Sequence, residues 1–206
     1  AMAYCINSAC PAQTNKMIEH FVSKGAMDIH GLGPKQINVL ISKGLISDAA
    51  DLYDLKNHQD KTITIDRIGE TSLDNLLTAI DTSRRQPMEK VLTALGIKHV
   101  GPEVAELLSQ RFLNIDEIIR SSDSDIQNIP GIGPKISSSI VTYFADPSNL
   151  ELINKLRLAG LNLENVNTDI LEKQVLSDKV FVVTGRMENF SRTDIQNRIK
   201  ALGGKV

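Results

Sequence analysis

From Thr14 to Gly160 the apolar residues of this chain recur at helical spacing, in short stretches broken by glycine. Thr14 is placed to cap a helix carrying Ile18, Phe21 and Val22 and stopped at Gly25. Ser47 is placed in the same way before a short helix with Leu52. Between Pro147 and Leu158, Leu150, Ile153 and Leu156 fall near one face, and Gly160 follows as a stop. Nothing before residue 178 has the two-residue period of a strand. Residues 162–177 are polar and aperiodic and read as a linker. Val180 to Val183 is then an apolar, mostly β-branched run, the pattern of a buried parallel strand. Thr184-Gly185 ends it, Ser191 is placed to cap a helix with Ile195, Ile199 and Leu202, and Gly203-Gly204 leads toward a second strand. A β–α–β start of this size cannot bury its own faces. Residues 178–206 are therefore expected to be a truncated α/β tail that frays or hides its strand edge in a dimer.

The helical part repeats itself. Aligned on Gly33, Gly69, Gly101 and Gly133, its units are about 36, 32 and 32 residues apart, the size of one two-helix unit. Four positions before each glycine stands Ile29, Ile65, Ile97 or Ile129, and immediately before it Leu32, Ile68, Val100 or Ile132. Seven positions after it stands Leu40, Leu76, Leu108 or Ile140. The residue before the glycine plugs the turn into the core. The glycine permits a tight turn and puts no Cβ between backbone and ligand. Pro34, Pro102 and Pro134 follow, suited to the first helical position, where a missing N–H costs nothing. Such a hairpin aims unpaired N–H groups and the positive end of a helix dipole outward, which makes an anion site. The repeated anion that rewards four of them is a phosphate backbone.

Composition adds little. Apolar residues make up 41% and aromatics 4%, with no Trp, so small aliphatic side chains must fill the core. The formal net charge of −2 gives no sign of nucleic acid; binding has to rest on backbone donors and a few placed cations. No apolar run approaches a membrane span and no signal peptide is visible; it is the cysteine usage that points to a reducing cytoplasm. Two cysteines, Cys5 and Cys10, make no disulfide framework.

The turns resemble helix-hairpin-helix motifs, of the form h-x-Gly-h-Gly with h hydrophobic. Ile29-His30-Gly31-Leu32-Gly33-Pro34-Lys35 and Ile129-Pro130-Gly131-Ile132-Gly133-Pro134-Lys135 match in full. In copies two and three Arg67 and His99 replace the first glycine, and copy three has Glu103 where copies one and four have lysine. Copy three therefore reads as mainly structural, while Arg67, Thr71 and Ser72 in copy two can reach a phosphate against the opposing Glu70. The DNA-binding candidates are Gly31, Gly33, Lys35, Arg67, Gly69, Thr71, Ser72, Gly101, Gly131, Gly133 and Lys135.

Domain order carries the resemblance further. Cys5-Ile-Asn-Ser-Ala-Cys10-Pro-Ala-Gln resembles the second half of a four-cysteine zinc finger, and His20 and His30 are the histidines weighed as substitute ligands. Four hairpins follow, with Val91-Leu92-Thr93-Ala94-Leu95-Gly96-Ile97 before the third, and Phe181 to Val206 resembles the opening of a BRCT domain. This order resembles the C-terminal half of bacterial NAD-dependent DNA ligases. The resemblance implies a mainly α fold in four parts: a partial zinc-finger segment over 1–13, a hairpin domain over 14–161, a linker over 162–177 and a truncated BRCT-like segment over 178–206. It implies a parent enzyme that seals nicks with NAD and magnesium through a Lys-x-Asp-Gly nucleophile motif. The chain lacks that motif, so alone it is expected to be inactive and to hold nicked duplex DNA. The same residues admit two other readings: a tandem-hairpin subunit of another repair or recombination protein, or an adaptor that docks partners through its hairpins and tail, with Thr184-Gly185 in a phosphate pocket.

Overall fold

A computed structural model describes residues 11–63, 69–165, 176, 179–183, 195–196, 198–199 and 204–205. Its helices are α1 (Pro11–Val22), α2 (Pro34–Ser42), a 3-10 segment (Ala50–His58) running into α3 (Gln59–Thr62), α4 (Glu70–Ser83), α5 (Met88–Ala94), α6 (Pro102–Arg111), α7 (Ile115–Arg120), α8 (Asp123–Gln127), α9 (Pro134–Ala145) and α10 (Pro147–Leu158). Among the described residues there is no sheet, only isolated bridges between Asn114 and Glu164 and between Val180 and Lys205. The chain is mainly α, as expected.

Local chemistry sets the helix ends, in places differently from the sequence reading. α1 already includes Pro11, ahead of Thr14, so Thr14 does not cap it. Asp48 rather than Ser47 serves the segment that carries Leu52: its carboxylate accepts the amides of Ala50 and Asp51 at 2.8 and 3.2 Å. Ser47 instead donates its amide and hydroxyl to the Asp51 carboxylate, at 2.7 and 2.6 Å. Asn114 caps α7 by accepting the Glu117 amide at 2.9 Å, and Ser122 with Asp125 forms a capping box on α8.

Helices pair in sequence order. α1 packs on α2, the 3-10 segment on α4, α5 on α6 and α8 on α9. α1 also meets α5, and α10 lies on both α9 and the 3-10 segment. Ion pairs hold α10: Lys155 to Asp48 at 2.8 Å and to Asp51 at 4.0 Å, and Arg157 to Asp116 at 2.7 Å. Hydrogen bonding to Asp48, before all else, holds the Lys155 ammonium above the usual lysine range. The core is aliphatic, with the repeat residues Leu40, Leu76, Leu108 and Ile140 almost wholly buried. Phe21 meets Tyr53 edge-on at 6.4 Å, and Tyr53 shares a 2.9 Å hydrogen bond with Ser83. Residues 162–165, assigned by sequence to the linker, belong to this helical unit. Leu161 and Leu163 are buried, Ile115 donates to the Leu163 carbonyl at 3.0 Å, and Asn165 donates to that of Leu113 at 2.7 Å.

The chain divides into two compact units near Asn165. In the second, Phe181 donates its amide to the Lys205 carbonyl at 2.7 Å and Lys205 donates to that of Lys179 at 2.9 Å, a parallel pairing. A Cβ on buried Gly204 would stand 2.7 Å from Ile199 Cγ2 and 3.2 Å from the Ile199 carbonyl, so only glycine fits. Val180 and Val182 are 72% and 84% exposed, while Phe181 and Val183 are half-buried. One face of the expected buried strand is covered and the other faces solvent. Thr184, Gly185, Ser191 and Leu202 lie outside the described residues.

Candidate nucleic-acid interface

Each well-described hairpin turn is built from an isoleucine that anchors it and a left-handed residue that reverses it. Ile29, Ile97 and Ile129 are buried, as are Leu32, Val100 and Ile132 three positions later. Val100 donates to the Ile97 carbonyl at 2.9 Å and Ile132 to that of Ile129 at 3.0 Å, closing the turns. The residue between these anchors has positive φ: 94° at Gly31, 68° at His99 and 96° at Gly131. His99 thus adopts in copy three the conformation that copies one and four give to glycine. The turn of copy two, with Ile65, Arg67 and Ile68, lies outside the described residues, so Arg67 has no placement.

Of the two tasks expected of the four aligned glycines, the tight turn falls to other residues. Gly33, Gly69, Gly101 and Gly133 are the N-cap residues of α2, α4, α6 and α9, with φ of −89, −80, −101 and −94°. Those values are open to any residue, so the tight turn is made by Gly31 and Gly131. A Cβ on Gly69, Gly101 or Gly133 would meet nothing within 4 Å, and one on Gly33 would meet only the flexible end of Gln36. None of the four helices has a side-chain cap. Each glycine carbonyl accepts the first helical bond, from Ile37, Leu73, Ala105 or Ser137 at 2.9–3.1 Å. The remaining first-turn amides, such as those of Lys35, Glu103 and Lys135, therefore have no helical acceptor, whereas Ile136 also donates to Gly133 at 3.0 Å and the prolines of α2, α6 and α9 have no amide to give. The result is an unobstructed helix start with a positive dipole end, four times over.

Around these starts the surface repeats too. From the left-handed residue to the ninth position after it, copies one, three and four show the same order of exposed, half-buried and buried positions: 31–40, 99–108 and 131–140. Lys35 and Lys135 are exposed, and neither ammonium has an ion-pair partner among the described residues. Glu103 occupies the equivalent exposed place in copy three. In copy two Glu70, Thr71 and Ser72 are all exposed in the first turn of α4. The hairpins also pair. A Cβ on Gly31 would lie 3.8 Å from Leu76 of α4, and one on Gly131 would lie 3.1 Å from Leu107 of α6. Copy one thus rests on copy two, and copy four on copy three.

The sequence reading missed the position four after each aligned glycine, where Ile37, Leu73, Ala105 and Ser137 are all buried. Ser137 hides there as the one polar member, donating to Asp123 at 2.8 Å. The i, i+4, i+7 spacing was the available signal; the mixed chemistry at i+4 concealed it. Cys5 and Cys10 lie outside the described residues. The histidines weighed as their partners are engaged elsewhere: His20 Nε2 bonds to the Thr93 carbonyl at 2.8 Å, and His30 Nε2 sits 3.3 Å from Asp28 Oδ1. Among the described residues no three His, Cys, Asp or Glu side chains group to hold a metal.

Comparison with known proteins agrees with this geometry. Residues 90–153 match the helix-hairpin-helix motif family, and residues 172–206 match the BRCA1 C Terminus (BRCT) domain family. DNA ligase of Dehalococcoides mccartyi strain CBDB1 is 42% identical over 204 residues, 99% of this chain and 30% of that ligase. DNA ligase of Symbiobacterium thermophilum is 42% identical over 206 residues, 100% of this chain and 31% of the ligase. That of Lactobacillus helveticus is 42% identical over 205 residues, 98% of the chain and 30% of the ligase. The chain spans about 30% of the length of the relatives it matches. With both domain matches in order and this identity along its whole length, the chain is similar to one stretch of these DNA ligases, with a helix-hairpin-helix match followed by a BRCT match.

Proposed function

We propose that this chain grips the sugar-phosphate backbone of duplex DNA, without reading base sequence, for a ligase that seals nicks. One observation carries the reading: four glycines stand at helix starts where neither backbone nor packing requires glycine. Serine or aspartate would cap those helices better. What glycine uniquely supplies there is room for a ligand to reach the first-turn amides. The exposed Lys35 and Lys135 add charge to two of the four sites. Phosphate contacts of this kind fix position and carry no sequence information. A nick has intact phosphates on both sides, so hairpins distributed over two pairs suit a grip that brackets it.

Sealing itself is assigned to the parent enzyme, which the ligase names of the relatives support; NAD as adenylate donor and magnesium as the metal rest on the resemblance of the sequence alone. Lys-x-Asp-Gly is absent from these 206 residues, which supports an inactive fragment. Cys5 and Cys10 are read as one half of a zinc site, poorly able to hold zinc by themselves. Work in the cytoplasm fits a ligase. A dimer through the tail is proposed from the exposed Val180 and Val182.

Substituting Gly133→Ser tests the reading, because serine improves the cap and obstructs the ligand. Thermal stability should stay within about 0.5 kcal/mol of the parent value or rise. Affinity for a nicked duplex should fall several-fold. Unchanged affinity in a folded Gly133→Ser chain overturns the assignment of these glycines to DNA.

A further inference from the structure

Hairpin three lacks the lysine that follows Gly-Pro in hairpins one and four, but its turn carries another cation. Lys98 stands directly after the anchor Ile97, is exposed, and has no ion pair or hydrogen bond among the described residues. It faces a groove of about 340 Å³ whose other wall is α9 of hairpin four, with Ser138, Ser139, Thr142 and Tyr143, closed by Asp146 and Asn149. We propose that this groove is a second kind of phosphate site, in which Lys98 supplies the charge and the hydroxyls of Ser138 and Thr142 the hydrogen bonds. The proposal rests on the reading of the chain as a DNA grip.

The lining favours an anion. Ser138 and Thr142 hydroxyls have no hydrogen-bond partner among the described residues, so both have a proton to give. The Tyr143 hydroxyl is buried without a partner, and burial pushes its pKa up, so it remains a neutral donor. Asp146, the one acid of the lining, has Oδ1 engaged by the amide and hydroxyl of Ser148 at 2.9 and 2.7 Å. Asn149 spends an amide proton on the Tyr143 carbonyl at 2.9 Å, and Ser139 donates to the Lys135 carbonyl at 2.8 Å. A positive charge and uncommitted donors therefore outweigh one tethered carboxylate.

Continuity points to a phosphodiester of the duplex as the occupant. Lys135, Ser138, Ser139 and Thr142 are spaced to lie along one side of α9. That stripe runs from the lysine of hairpin four to Lys98 of hairpin three. Seven residues of helix cover about 10 Å, enough to reach from one phosphate of a strand to the next, with roughly three nucleotides of axial rise. The groove extends the contact of hairpin four along the same strand, and hairpin three adds its turn to the contact made at its helix start.

The test uses the whole chain and a labelled nicked duplex over a range of salt. Lys98→Ala should weaken binding roughly five- to tenfold and lower the log–log salt slope by about one, with Lys98→Arg retaining the parent slope. The Lys98 side chain is exposed and unbonded, so neither change should disturb the fold. Amide signals of Ser138 and Ser139 should shift with the duplex and not with inorganic phosphate at the same ionic strength. If the parent chain binds and Lys98→Ala keeps its full affinity and slope, the groove is overturned while hairpins one and four stand. Saturating shifts with inorganic phosphate alone overturn the duplex as occupant. Failure of the parent chain to bind overturns both readings.

Discussion

Lys35 and Lys135 hold the same exposed place in hairpins one and four, and Glu103 holds it in hairpin three. Reversing the charge at Lys135 puts a carboxylate beside the proposed phosphate, so Lys135→Glu should weaken duplex binding by roughly tenfold or more. Glu103→Gln should leave binding unchanged or slightly improved. Equal losses from both changes, measured on the same nicked duplex, contradict this ranking. The two glycines of one turn separate in another way. Gly131 has φ 96° and its Cβ would press Leu107 at 3.1 Å, so Gly131→Ala should destabilise the chain by about 1–2 kcal/mol. Chemical denaturation reads this against Gly133→Ser, which should cost little; similar losses contradict the division of labour. Both glycines were legible in sequence, but not which of them makes the turn. Backbone sign is a property of the folded turn, and His99, at φ 68°, shows that copy three keeps the geometry without the residue that signals it.

At the scale of elements, the repeat itself was plain because a core position spaced every 32 or so residues survives substitution among Ile, Leu and Val. Helix ends were less plain. Ser47 and Asp48 both suit a cap, and which carboxylate meets which amide depends on the 3-10 winding of residues 50–58. The extent of the helical unit was hidden for a tertiary reason. Leu163 is buried only because α10 brings the chain back beside Leu113 and Ile115. Beyond it, Val180 and Val182 expose one face of the tail pairing, whose described hydrogen bonds are those between residues 179, 181 and 205. Hydrogen exchange should find residues 180–183 among the fastest and the buried faces of α5, α6 and α9 among the slowest. Slow exchange at 180–183 in a chain shown by sedimentation to be monomeric would show that the tail is more stable than its exposed face implies.

For the whole molecule, charge and metal are the remaining questions. If Cys5 and Cys10 are half of a zinc site, as proposed, two thiolates leave the other half of a tetrahedral shell to water. Metal analysis after extensive dialysis should find well under one zinc per chain; about one per monomeric chain would show that Cys5 and Cys10 find further ligands. The net charge of −2 gives composition no sign of the proposed function, because a helix start attracts an anion through oriented amides that no charge count includes. On the proposed reading, four such starts, two with lysine, form a grip that should release counterions in proportion to the phosphates held. The most direct test is the affinity of the chain for a nicked duplex as a function of salt, on two unrelated base sequences. With roughly four to six phosphates engaged, the log–log slope should be about −4 to −5 and the same on both sequences. A slope near zero, or a strong preference for one sequence, would contradict the account.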